Sequence, residues 1–232
     1  MIFGLFRFDW TILIVLPALL VSIWAQFKVH STYQKYSKFP TRQGMTGASA
    51  ARRILDENGL RHVRIEHIRG ELNDHFDPKA NVIRLSDAVH DSKSAAAIGV
   101  AAHEAGHAVQ YAKGYAPMKL RAMIIPVTKF GSVLAIPLFF IGLLFASDYL
   151  MLAGILLYTT VALFQLATLP VEFNASSRAM RVLKSSGILA QDELSASRQV
   201  LTAAAMTYVA ALLTSLLTLL RLLILAGGRR RD

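Results

Sequence analysis

Four long apolar runs constrain this chain more than any other feature. A segment of about 20 residues with almost no charge is long enough, as a helix, to cross the hydrocarbon core of a bilayer. Trp10 to Phe27 carries no charge and is flanked by Asp9 and Lys28. Met123 to Ala146 is interrupted only by Lys129, Tyr149 to Leu169 has no charge, and Ala203 to Ala226 contains Arg221 near its end. Snorkelling towards an interface is the expectation for Lys129 and Arg221. Hydrophobic residues make up 54% of the chain and mean hydropathy is +0.43, high for a soluble domain. The first run has no small-residue cleavage site, so residues 10–27 read as a retained transmembrane anchor.

The net charge of +10 invites a nucleic-acid reading. The cations instead cluster beside the apolar runs, which argues for the lipid bilayer as partner and against nucleic acid. Lys28, Lys35 and Lys38 follow the first run, Lys113, Lys119 and Arg121 precede the second, and Arg178, Arg181, Lys184 and Arg198 lie between the third and fourth. The positive-inside rule places all of them in the cytoplasm, and the connection at Ser147-Asp148, which has no basic residue, outside. Arg229-Arg230-Arg231 opposes this scheme. Either the run at 203–226 is partial or re-entrant, or the earlier loops outweigh the tail. With no cysteine, disulfides and thiolate metal sites are excluded, and a metal must be held by His, Asp or Glu.

His103-Glu104-Ala105-Gly106-His107 has that chemistry. Seven His and six Glu placed at random in 232 residues produce His-Glu-x-x-His in roughly one chain in two hundred. Ser94 is a helix cap, alanines dominate through Ala102, and Gly114 is a stop, so a helix over 94–113 carries the motif. Helical spacing puts both imidazoles on one face as ligands, with the Glu104 carboxylate beside them to take a proton from water.

The catalytic domain, residues 28–121, reads as small and α+β. Gly47 to Glu57 is a helix capped by Thr46, and Val63 to His67 alternates like a strand. His75 to Asp77 and Val82 to Leu85 form a hairpin around Pro78-Lys79-Ala80-Asn81. A strand just before the motif helix either sits at the cleft rim, offering a free edge to an extended peptide, or belongs to an ordinary hairpin that covers the helix. Residues 123–169 form a membrane hairpin that returns the chain to the side it left. The first acidic residue after it is Glu172, in a helical segment at 170–200 expected to begin after Pro170. It is a candidate third metal ligand, in competition with Asp192 and Glu193 at a second polar helix start. His67, His75 and His90 are further candidate ligands or transition-state donors.

His103-Glu104-Ala105-Gly106-His107-Ala108-Val109-Gln110, followed by Pro170-Val171-Glu172-Phe173-Asn174-Ala175-Ser176, resembles the YugP-like neutral zinc metallopeptidases of bacterial membranes. The likeness extends to Thr46-Gly47, to the Asp77-Pro78 hairpin with Leu85-Ser86, and to the order of spans. It implies a membrane zinc peptidase, distantly similar to the HtpX-type gluzincins, with Zn2+ held by His103, His107 and Glu172. HtpX-like enzymes carry aspartate where this chain has Ser176, and YugP-like chains often have aspartate in place of Asn174. Asn174, Ser176 and Arg178 remain as candidates to support a ligand from behind. The expected fold class is a mainly α membrane protein with about four transmembrane helices and a small α+β zincin-like cytoplasmic domain. The expected function is hydrolysis of peptide bonds in membrane-associated polypeptides at a bacterial inner membrane, with Glu104 as general base and a homo-oligomer or membrane protein as further partner. A non-enzymatic membrane scaffold with a structural metal is the rival reading.

Overall fold

The computed structural model describes residues 9–229, so Arg230 and Arg231 of the basic tail lie outside the described residues. Its elements are α1 (Ile12–Ser37), α2 (Gly47–Glu57), β1 (Arg64–Ile68), β2 (His75–Asp77), β3 (Val82–Ser86), α3 (Ala95–Ala112), α4 (Ala116–Leu144), α5 (Asp148–Ser185) and α6 (Gln191–Arg229). The fold is mainly α with one small sheet. The chain forms two compact units: Met1–Trp24 with Arg121–Leu166 and Tyr208–Asp232, and Ala25–Leu120 with Ala167–Thr207.

Helices α1, α4, α5 and α6 are each long and apolar enough to cross a membrane. Within the first unit, Ser22 and Thr214 hydroxyls meet at 3.1 Å, and Arg221 reaches back to Asp9 and Thr11. Residue numbers rise along α1 as they fall along α6, so these segments are antiparallel. The Arg221 guanidinium donates to Asp9 Oδ2 at 2.5 Å and to Thr11 Oγ1 at 3.1 Å. An acidic residue just before the first apolar run satisfies a cation that hydropathy alone sends to the interface. Helix α6 continues unbroken to Arg229, with no interruption of the re-entrant kind.

Helix α5 also outruns its apolar stretch. Pro170 lies inside it, where the sequence suggested a helix start. An internal proline removes one backbone hydrogen bond. At and just after the proline, Tyr115 Oη donates to Pro170 O at 3.4 Å and Gln110 Nε2 to Val171 O at 2.8 Å.

In the second unit, α2 starts at Thr46, whose hydroxyl accepts from Ser49 N at 3.1 Å. Its buried face, Ala50, Ala51, Ile54 and Leu55, joins Ile83, Leu85, Ile98 and Ala101 in the core. The sheet order is β1-β3-β2, with β3 parallel to β1 and antiparallel to β2. Val82, Ile83 and Leu85 are fully buried, as a central strand requires. Hence β3, the strand just before α3, has both edges paired, contrary to the free-edge alternative; the edge strand beside α3 is β2. The Ser94 hydroxyl caps α3 by accepting from Ala97 N at 3.2 Å, and Gly114, at φ +61°, follows its end. The alanine-rich faces of α3 let its neighbours approach closely.

Candidate metal centre

Helical spacing stacks His103 and His107 one turn apart on α3, their rings edge-on at 82° with centroids 4.6 Å apart. Helix α5 brings Glu172 against them. His103 Nε2 and His107 Nε2 lie 3.1 Å apart, and Glu172 Oε2 is 3.2 Å from the first and 3.4 Å from the second. Two imidazole nitrogens and a carboxylate oxygen thus form a nearly equilateral triangle. Ligands at about 2.05 Å from a tetrahedral zinc ion stand about 3.3 Å apart, the edge this triangle has.

The approach of α5 to α3 depends on Gly106. A Cβ there would stand 2.8 Å from Ala175 O, a backbone atom that no rotamer change can move. The Gly106 of the motif therefore has a packing role of its own.

The remaining imidazole nitrogens are held from behind. His107 Nδ1 is 3.0 Å from Gln110 Oε1, and the Gln110 amide nitrogen donates to Val171 O and to Asn174 Oδ1 at 3.0 Å. The Gln110 oxygen therefore accepts, His107 carries its proton on Nδ1, and its Nε2 lone pair faces the centre. Arg178 Nε donates to Asn174 Oδ1 at 2.7 Å and fixes the amide from the far side. Ser176 Oγ lies 3.1 Å from His103 Nδ1 and serves that ring as Gln110 serves the other.

Glu104, His107 and Glu172 are only 8%, 8% and 3% exposed, so these ionisable groups need partners. Burial pushes the Glu104 carboxyl above the ordinary carboxylate range. Its Oε2 accepts from Phe76 N of β2 at 2.9 Å. Burial opposes the His107 imidazolium, yet the Glu172 hydrogen bond and the Glu104 and Glu172 charges prevail and raise its pKa. The cluster draws positive charge to its centre.

Other candidates lie elsewhere. Asp192 pairs with Arg42, and Glu193 accepts from the Arg42 and Ala190 amides. Glu172 is deep within α5, so it is no first-turn carboxylate of a helix starting at Pro170. His75 Nδ1 contacts Asn73 O. His67 and His90 stack at 4.7 Å beside Asp87 and Asp91 in a more exposed cluster. Sequence reasoning missed the Phe76 amide, which is backbone and leaves no mark in composition. It also gave Gln110 no role, although Gln110 follows His107 by three residues and so shares its helix face.

Three convergent donors beside a buried carboxylate define a site suited to a divalent metal and to moving a proton. The family described as "Putative neutral zinc metallopeptidase" matches residues 11–227, and the chain belongs to that family. It is 49% identical over 219 residues, 94% of this chain and 97% of the relative, to a Bacillus subtilis (strain 168) protein named "Putative membrane protease YugP". No solved structure matches significantly. The four apolar helices and this relative together make the chain a membrane protein.

Proposed function

We propose that the chain is a zinc-dependent endopeptidase in which His103, His107 and Glu172 hold the ion and Glu104 is the general base. The triangle of donor atoms, with edges of 3.1, 3.2 and 3.4 Å, carries this reading. When bound, zinc supplies Lewis acidity that acidifies water and polarises a carbonyl. Glu104 takes the proton of the attacking water and delivers it to the amine nitrogen as the C–N bond breaks. The Phe76 amide holds one oxygen of that carboxylate, and burial keeps it more basic than a solvated one. Gln110 and Ser176 orient the two imidazoles, with Asn174 and Arg178 locking Gln110 in place.

The substrates in this reading are membrane-associated or membrane-proximal polypeptides. Support comes from α5, a single helix that carries both an apolar stretch and Glu172, so the site cannot leave the bilayer's vicinity. The basic residues after the apolar run of α1 and between the apolar stretches of α5 and α6 support a multi-pass arrangement in a bacterial inner membrane with the site on the cytoplasmic side. Zinc content of the purified chain tests the ligand set. One ion per chain is expected in wild type and in Glu104→Gln, and substoichiometric zinc in His107→Ala and Glu172→Ala. Full zinc retention by Glu172→Ala would remove Glu172 from the ligands.

A further inference from the structure

In the second unit, α5 and α6 leave a groove of about 420 Å³ between them. Along α5 the lining residues 173, 176, 177, 180, 181 and 184 recur at three- and four-residue spacing, so one helix face forms the wall. Arg181 and Lys184 project from α5 and Arg198 from α6. Lys184 and Arg198 also line a second recess of about 160 Å³. No carboxylate lines either concavity, and among the described residues none of these three cations has an ion-pair partner. Three like charges around one groove repel one another, and an anion placed among them relieves that repulsion.

The rest of the lining decides which anion. Phe173, Leu201, Ala205 and Met206 are apolar, and Phe173 and Met206 are the lining residues nearest in sequence to the apolar stretches of α5 and α6; Gln191 and Ser195 line the second recess. Free phosphate would satisfy the cations and leave the apolar wall wet. A molecule with an anionic head and hydrocarbon attached satisfies both.

We infer that this groove binds an anionic phospholipid. Arg181, Lys184 and Arg198 engage its phosphate, and Phe173, Leu201 and Met206 cover the first methylenes of its chains. The groove abuts the metal centre through Ser176, which lines it and contacts His103 Nδ1. Lipid binding itself does not depend on the peptidase reading.

The test uses the full chain in a neutral maltoside detergent, titrated with dioleoylphosphatidylglycerol or dioleoylphosphatidylcholine, with the thermal midpoint as readout. Phosphatidylglycerol is expected to raise the midpoint saturably and phosphatidylcholine to leave it unchanged. The triple variant Arg181→Gln/Lys184→Gln/Arg198→Gln should shift half-saturation at least tenfold, while Lys28→Gln/Lys35→Gln/Lys38→Gln, with the same loss of charge, stays within twofold. The lipid-free midpoint checks folding of the first triple. If that triple fails to fold, Lys184→Gln alone should shift half-saturation at least threefold. Equal responses to the two lipids, or equal losses in the two triples, overturn the proposal. It also fails if glycerol 3-phosphate alone reproduces the full shift, since the apolar wall then contributes nothing. Displacement of phosphatidylglycerol by hexaglutamate at equal concentration would overturn it in favour of a polypeptide subsite.

Discussion

Gly106→Ala isolates the helix approach on which the metal centre depends. The added Cβ would lie 2.8 Å from Ala175 O, where ordinary contact begins near 3.4 Å, so α3 and α5 must separate by about 0.6 Å. Glu172 sits one turn before Ala175, and a shift of that size stretches its distances to His103 and His107 towards about 3.8–4.0 Å, beyond the edge of about 3.3 Å a tetrahedral zinc site accepts. Overpacking costs about 1–3 kcal/mol, while replacing a mid-helix glycine returns about 1 kcal/mol of helix propensity. The net destabilisation is about 0–2 kcal/mol, a fall of up to about 8 °C in thermal midpoint for a chain of this size. Zinc affinity should fall by about tenfold or more, the scale seen when ligand-supporting contacts are lost. Competition with a fluorescent zinc chelator measures this beside a thermal scan. Gly227→Ala is the control, since nothing lies within 4 Å of a Cβ there, and it should leave affinity unchanged. A Gly106→Ala protein with wild-type zinc affinity would refute the reasoning, because the close approach would then not position the ligands.

Gln110→Leu should weaken zinc binding by about 10- to 100-fold in the same competition assay, since His107 loses the acceptor that fixes its tautomer. Ser176→Ala should act in the same direction through His103, and additive losses in the double variant would show that the two rings are supported independently. Ser94→Ala removes the cap of α3 and should lower stability by about 1 kcal/mol in denaturant titration, leaving zinc stoichiometry at one per chain.

The parts of this structure that were legible in the sequence are those set by local chemistry. Thr46 and Ser94 cap α2 and α3 because hydroxyls at those positions satisfy orphan amides, and the apolar runs mark helices because hydrocarbon demands internal hydrogen bonding. Glu172 was accessible by a topological argument, as the first acid after a returning hairpin. Strand pairing was legible only in part: the turn at Pro78-Lys79-Ala80-Asn81 pairs His75–Asp77 with Val82–Leu85, but periodicity cannot say that β1 adds parallel to the other side of β3. The lengths of α5 and α6 were also hidden, since hydropathy reports only their apolar parts and Pro170 mimics a start. Behind the ligands, Asn174, Ser176 and Arg178 are legible as candidates, whereas Gln110 has no role in that reading because an acid is expected there. A neutral amide at Gln110 and a hydroxyl at Ser176 face the imidazoles.

Cleavage of an unfolded test polypeptide such as casein, compared between the zinc-loaded wild type and Glu104→Gln, tests the central claim most directly. Wild type should cleave, lose activity to a chelator and regain it with zinc, while Glu104→Gln keeps one zinc per chain and cleaves about 10²- to 10⁴-fold more slowly. Chelator-insensitive cleavage, or a Glu104→Gln protein as active as wild type, would contradict it.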